Sequence, residues 1–384
     1  MSPDLKKYVS DDFVVVFTCF DTMLRTAIAF ALLATAFGQC SLPNCFNPGV
    51  ASPLPPEETP QFVLLSHDDE INIKTYEAFK NVGICDSKIT FFLMWARIDC
   101  RYVQAFHNAG HEIALHTVNH KHLTGVPLDQ LRYEMLGVRD LVNTRCGIPK
   151  EDMKGFRAPF LETNENVRKI LYEDEYIEYD STYNPYNHSM APFTMDSGLV
   201  KNSSLSSESW PGLWQIPVNP VQSHGFDAVY SMDPGRLSHP LYEPGAAAGT
   251  FIPAEEMLDL LVETFYDQYN GSRLPYSVNF HTPWMNADGY SAALGEFLEY
   301  ASQFEDVYFI TYSELIEWMR NPVPLSMMPP KNTQCVPIVV PKDSFWTTYG
   351  TTMTIIGIVI GPIFVMTCFV IIAQIIFLVF YKDT

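Results

Sequence analysis

Short apolar runs alternate with segments of helical periodicity along most of this chain, and no other property restricts its fold as much. Strands are expected at Phe62–Leu65, Ile89–Leu93, Ile113–Leu115, Gly155–Phe156, Tyr276–Phe280 and Val307–Ile310. Helices are expected at Thr75–Asn81, Tyr102–Asn108, Leu128–Val142, Asn164–Tyr172, Glu255–Tyr269, Ala292–Gln303 and Tyr312–Met319. The stretch from Asp180 to Gly249 is polar, aromatic and rich in proline, with Trp214–Val218 as its best strand. Strand then helix, repeated, argues for a parallel sheet with helices outside it, either open and doubly wound or closed into a barrel. No glycine-rich phosphate loop follows the first strand, which favours the barrel. In a barrel, chemistry sits where the strands end.

Polar groups follow the apolar runs at four places. Ser66-His67-Asp68-Asp69 follows Leu65, His116-Thr117-Val118-Asn119-His120 follows Leu115, Arg157 follows Phe156, and His281 follows Phe280. Alone, His116 and His120 read as two surface histidines. Their i, i+4 spacing lets both imidazoles face one point if the segment makes roughly a helical turn. With Asp69 they form a two-histidine, one-carboxylate set that leaves positions open for water and substrate. Thr117 stands where an H-E-x-x-H protease keeps its glutamate, so the base comes from elsewhere. Asp68 can take a proton from water at the metal, His281 can protonate the leaving group, and Arg157 can pair with Asp68 and hold it in place.

Acidic residues outnumber basic ones by 44 to 24, a net charge of −20, which excludes a nucleic-acid partner because phosphates would be repelled. Met23-Leu24-Arg25, the apolar run Ala27–Phe37 and Ala36-Phe37-Gly38 read as a signal peptide, with Met23 the candidate true start. An uncleaved anchor is the alternative. Ile355–Phe380 carries no charge and is long enough to cross a bilayer, giving a membrane helix over 354–381 and a tail at 382–384. Gly357 and Gly361 are spaced to let two helices pack as a homodimer, although glycine is common in spans. Cys40, Cys45, Cys85, Cys100, Cys146 and Cys335 can form three disulfides in an oxidising compartment, with the pairing open. Asn187, Asn202 and Asn270 open glycosylation tripeptides.

The ordered motifs resemble the polysaccharide deacetylases of carbohydrate esterase family four, specifically the arthropod-type chitin deacetylases. They are Asp68-Asp69, His116 to His120, Arg157-Ala158-Pro159-Phe160, Asp180-Ser181, Pro211-Gly212-Leu213-Trp214-Gln215-Ile216-Pro217 and Phe280-His281-Thr282-Pro283-Trp284, spread between Cys40 and Cys335. The resemblance implies a distorted (β/α) barrel holding a divalent ion, usually zinc, that removes acetyl groups from N-acetylglucosamine units. It assigns Asp68 as base, Asp69 as ligand with His116 and His120, His281 as acid, and the backbone N–H of Phe160 as oxyanion donor. Pro159, Trp214 and Trp284 would line the sugar groove, with core packing the competing reading for each tryptophan. Asp180 is the candidate carboxylate that tunes His281. Ser66-His67 departs from the family's usual Thr-Phe, so His67 would add a ligand, perturb Asp68, or point away.

The expected organisation is a 1–38 extension and signal peptide, a 39–60 proline-rich linker, a 61–335 catalytic domain, a 336–353 juxtamembrane linker and the 354–381 helix. The expected protein is a single-pass type I plasma-membrane enzyme acting outside the cell on chitin or another N-acetylated glycan. A catalytically silent glycan-binding or matrix-organising relative is the alternative. An iron-dependent oxygenase using the same three ligands is a third reading, opposed by Asp68.

Overall fold

The first strand does not stop at Leu65. In the computed structural model, which describes residues 40–80, 82, 87–186, 188–199, 208–222, 229–236, 251–331 and 336–341, it runs on to Asp69. The chain divides into two compact units, Met1–Pro337 and Ile338–Thr384, and every element below belongs to the first. The expected signal segment, the 354–381 helix, Cys85, Cys335, Asn187 and Asn202 lie outside the described residues. Among the described residues no helix is long and apolar enough to cross a membrane.

Five parallel strands come first: β1 (Gln61–Asp69), β2 (Ile89–Leu93), β3 (Glu112–Leu115), β4 (Gly155–Phe156) and β5 (Tyr179–Asp180). Helices α1 (Ile73–Phe79), α2 (Cys100–Asn108), α3 (Leu128–Cys146) and α4 (Glu165–Tyr172) connect them. β6 (Phe193–Met195) and β7 (Trp210–Gln215) follow, then a small antiparallel pair, β8 (Val221–Gln222) and β9 (Val229–Tyr230). The chain continues through α5 (Ala254–Asn270), β10 (Tyr276–His281), α6 (Thr282–Met285), α7 (Tyr290–Ser302), β11 (Val307–Phe309) and α8 (Tyr312–Arg320). β7 begins and ends earlier than the expected Trp214–Val218, since Pro217 has no N–H to give a ladder.

The main sheet runs β10-β1-β2-β3-β4-β5-β7-β6, with β11 also on β1, and only the β6–β7 pair is antiparallel. Among the described residues β6 and β10 do not pair, so the expected barrel is a curled half-barrel. β1 is its hub, in register with β10 over Val63 to Asp68, with β2 over Leu65 to Asp69 and with β11 over Gln61 to Val63.

Successive side chains of β1 to β5 alternate between two faces and both faces are buried, as a parallel sheet requires. Phe62, Leu64, Phe92, Ala114, Tyr179 and Trp214 share the inner cluster with Tyr312. Gly155 makes room there: a Cβ on it would stand 2.0 Å from the Tyr179 ring, whose hydroxyl donates to buried Glu112 at 2.8 Å. Side-chain acceptors on Asn72, Asp99, Asn164 and Thr311 cap α1, α2, α4 and α8. These caps fix helix starts just beyond strand ends, where the polar groups gather. Disulfides join Cys40 to Cys45 and Cys100 to Cys146.

Candidate active site

Asp69 closes β1 in a left-handed conformation, φ 84°, and its carbonyl accepts from Met94 N–H at 2.9 Å. His116 leaves β3 buried, and its Nδ1–H donates to the Arg157 carbonyl at 2.8 Å. That bond turns Nε2 toward Asp69 Oδ1, 3.5 Å away, while His120 Nε2 approaches the same oxygen at 3.2 Å. The three residues offer ligand atoms within 4.8 Å of one another. Asp69 Oδ1 is buried and accepts no hydrogen bond. A buried carboxylate oxygen facing two imidazole nitrogens, with nothing to satisfy it, fits a divalent cation. Burial, opposed by the Asp69 carboxylate, holds the His116 pKa down to about 3, so the ring is neutral, the form that binds metal.

The histidines do not converge through a helical turn. Thr117 and His120 are both left-handed, at φ 73° and 54°, and the His120 N–H donates to Thr117 Oγ1 at 3.0 Å. Glu134 of α3 holds this loop from outside: its carboxylate accepts from Asn119 N–H at 3.0 Å and Asn119 Nδ2 at 2.9 Å, and its carbonyl accepts from Val118 N–H. A mid-helix glutamate gives no hint of that role in the sequence.

Asp68 is buried, and its Oδ1 accepts from Arg157 Nη1 at 2.7 Å. Arg157 is wholly buried, with its guanidinium carbon 4.0 Å from the centroid of the Phe92 ring. Its other donors reach Ser66 Oγ, the Ser181 carbonyl and hydroxyl, Asn279 Oδ1 and the Tyr312 hydroxyl. A planar guanidinium so occupied cannot swing, so Asp68 is aimed as well as charge-balanced.

His281 ends β10 and is the register partner of Asp68. Its Nδ1–H donates to both oxygens of Asp233 at 3.0 Å, and its backbone N–H donates to Asp233 Oδ1 at 2.9 Å. Burial would lower the His281 pKa, but the Asp233 charge and hydrogen bond outweigh it and push it up to about 10. Burial would raise that of Asp233, and the His281 charge instead holds it below the usual carboxylate range. Asp233 therefore takes the place expected for Asp180. Asp180 is fully buried and accepts from the Thr182 hydroxyl. Burial, opposed by that hydrogen bond, pushes its pKa up to about 6.

The expected groove residues need correcting. Trp214 is 1 % exposed and stacks near Phe46 in the inner cluster, and Trp284 is 0 % exposed, stacked on Phe280 with its N–H on the Pro234 carbonyl. Both are core, because the strand and short helix that carry them turn these side chains inward. Pro159 is buried too. Phe160, at φ 57°, is 55 % exposed, with its ring edge-on to His120 and stacked on His122 at 4.0 Å. Trp95, in the turn after β2, is half-buried on this face, its backbone N–H donating to the Thr117 carbonyl at 3.2 Å.

His67 points away from the ligands. Its ring lies among Phe79, Phe91 and Phe280 on the helix side of the sheet, and Nε2 bonds Thr282 Oγ1 at 2.9 Å. Burial, with the charge of His281 adding to it, lowers its pKa to about 3. Asn270 is exposed at the end of α5.

Residues 56–177 match the family model for polysaccharide deacetylase. Over 312 residues the chain is 28 % identical to Chitin deacetylase 1 of Bombyx mori, covering 74 % of this chain and 56 % of that protein. It is 25 % identical to Chitin deacetylase 8 of Bombyx mori over 314 residues, 74 % of this chain and 78 % of the relative. The chain thus spans little more than half the length of the first of these relatives. A solved Mycobacterium smegmatis structure described as a polysaccharide deacetylase has the same fold, with a TM-score of 0.50 and 18 % identity over 76 % of this chain and all of that one. The half-barrel, the Asp69, His116 and His120 cluster at its strand ends and those sequence matches together mark residues 56–177 as a polysaccharide deacetylase domain.

Proposed function

We propose that this protein hydrolyses acetamide groups on an N-acetylated glycan of the chitin type, releasing acetate and leaving a free amine. One observation carries the reading: Asp68 and His281 are register partners on adjacent strands, each held by an oppositely charged neighbour, beside the three-residue ligand cluster. A divalent ion, zinc in this reading, would be held by Asp69, His116 and His120 and would supply Lewis acidity toward the acetyl carbonyl and a lowered pKa for water. Asp68 takes the proton of the attacking water as its oxygen bonds to the acetyl carbon. The Phe160 N–H donates to the oxyanion that develops. His281, protonated on both nitrogens and tied to Asp233 through Nδ1, gives its Nε2 proton to the amine as the carbon–nitrogen bond breaks.

In the same reading the catalytic unit works outside the cell, delivered by the 1–38 segment, tethered by the 354–381 helix and glycosylated at Asn187, Asn202 or Asn270. The exposed Phe160 ring, stacked on His122, supports contact with pyranose rings, the task first expected of Trp214 and Trp284.

The test is acetate release from chitooligosaccharides by the full-length protein. Release is expected to stop with a chelator, to return with zinc, and to fall about 10²- to 10⁴-fold in Asp68→Asn with metal content unchanged. A protein that binds one ion and frees no acetate from any N- or O-acetylated glycan would be the silent glycan-binding relative instead.

A further inference from the structure

Asp180, displaced from His281 by Asp233, is left without an evident task, yet it is fully buried at the end of β5. Its surroundings point to one. The two residues that follow β5, Ser181 and Thr182, both grip the neighbouring segment that carries Arg157. Ser181 N–H donates to the Phe156 carbonyl at 2.7 Å, and the Ser181 carbonyl accepts from Arg157 Nε at 2.9 Å. Thr182 Oγ1 accepts from Ala158 N–H at 3.0 Å while its own hydroxyl hydrogen goes to Asp180 Oδ1.

A threonine hydroxyl has one hydrogen and a free rotor. The Asp180 carboxylate, which only accepts when ionised, takes that hydrogen and so leaves a lone pair facing Ala158 N–H. Just past Ala158 the chain enters two successive left-handed residues, Phe160 at φ 57° and Leu161 at φ 53°. Neither is glycine, so each carries the steric cost of a side chain at positive φ. Inside the turn, only the Leu161 N–H to Ala158 carbonyl bond, 3.1 Å, and the Glu162 N–H to Pro159 carbonyl bond, 3.2 Å, oppose that cost among its backbone bonds. The turn is therefore anchored from outside, and its entry is anchored by Thr182.

We propose that Asp180 and Thr182 are positioning residues for the reaction: the relay from the Asp180 carboxylate through the Thr182 hydroxyl to Ala158 N–H fixes the 158–161 turn, so that the Phe160 N–H meets the developing oxyanion. The inference rests on the deacetylase reading for its catalytic consequence and on geometry alone for the turn. It assigns Asp180 a partner different from the histidine it was expected to tune.

The experiment uses full-length Thr182→Val, Thr182→Ser and Asp180→Asn proteins. Three readouts are compared: steady-state acetate release, bound zinc, and backbone amide exchange followed by mass spectrometry. Thr182→Val removes the hydroxyl at nearly constant volume. It is expected to lower kcat about tenfold to a hundredfold with KM little changed and zinc retained. Exchange at residues 158–161 should rise about tenfold or more, with the strands unaffected. Thr182→Ser should restore both kcat and exchange. Asp180→Asn, whose amide can turn the hydroxyl the wrong way, should show the same signature as Thr182→Val and serves in its place if Thr182→Val does not fold. Wild-type kcat and exchange in a folded Thr182→Val or Asp180→Asn protein overturn the proposal, as does a loss that Thr182→Ser fails to repair. If the wild-type protein itself releases no acetate, the deacetylase reading falls while exchange in the turn still decides the positioning claim: acceleration supports it and its absence overturns it.

Discussion

His281 meets two opposing influences, and their balance fixes the pH range in which it can act as an acid. Burial favours the neutral ring, whereas the Asp233 carboxylate favours the charged one and prevails, pushing the pKa up to about 10. A raised pKa keeps the proton available below that value, and acid function is lost as pH rises through it. In Asp233→Asn the strongest influence opposing burial is lost and only the charges of Asp68 and Asp69 still favour the protonated ring, so the alkaline limb of the kcat/KM profile should move to lower pH, with a maximum about a hundredfold lower. An unmoved limb would mean that another group sets it. Asp233 was hidden in the sequence because the apolar run before it, Ala228-Val229-Tyr230, is short and lies inside the polar, proline-rich stretch where Trp214–Val218 was the one strand expected. His67 was legible in principle. Had the first strand been carried through Asp69, alternation would have set Ser66 and Asp68 on one face and His67 on the other.

Between β3 and α3, the ligand loop depends on elements that touch no ligand atom directly. From the second turn of α3 Glu134 accepts from the backbone N–H and the Nδ2 of Asn119, and its Oε1 lies 3.2 Å from Lys121 Nζ. Glu134→Ala removes this support and leaves Asp69, His116 and His120 intact. Zinc affinity, measured by competition with a chromophoric chelator, should weaken about 10- to 100-fold, and excess zinc should restore acetate release. The strands and helices were readable from periodicity, since parallel strands buried on both faces leave apolar runs and the long helices leave amphipathic ones. The loop was not. Left-handed Thr117 and His120 carry side chains that give no local warning of positive φ, so i, i+4 spacing suggested a helical turn where there is none.

Across the whole first unit, covalent and hydrogen-bonded ties join segments far apart in sequence. The Cys100–Cys146 bridge closes a loop of 46 residues between the start of α2 and the end of α3. Replacing both cysteines by alanine is expected to cost on the order of 4 kcal/mol by loop-closure entropy, read as a lower denaturation midpoint with the pH profile of activity unchanged. The curled sheet was foreseeable from strand–helix alternation, but its incomplete closure was not, because nothing in the apolar runs says that β6 and β10 fail to pair. β1 carries the heaviest dependence on distant chain. It holds Asp68 and Asp69 near the beginning of the domain, yet one flank is filled by β10, and the Ser66–Asn279 bond spans 213 residues. A nascent chain extended only to Asn270 already contains every metal ligand and the base, but lacks the strand that seats β1 and brings in His281. On the ribosome, then, the ligands are synthesised early and the site is assembled late, after nearly the whole domain has emerged.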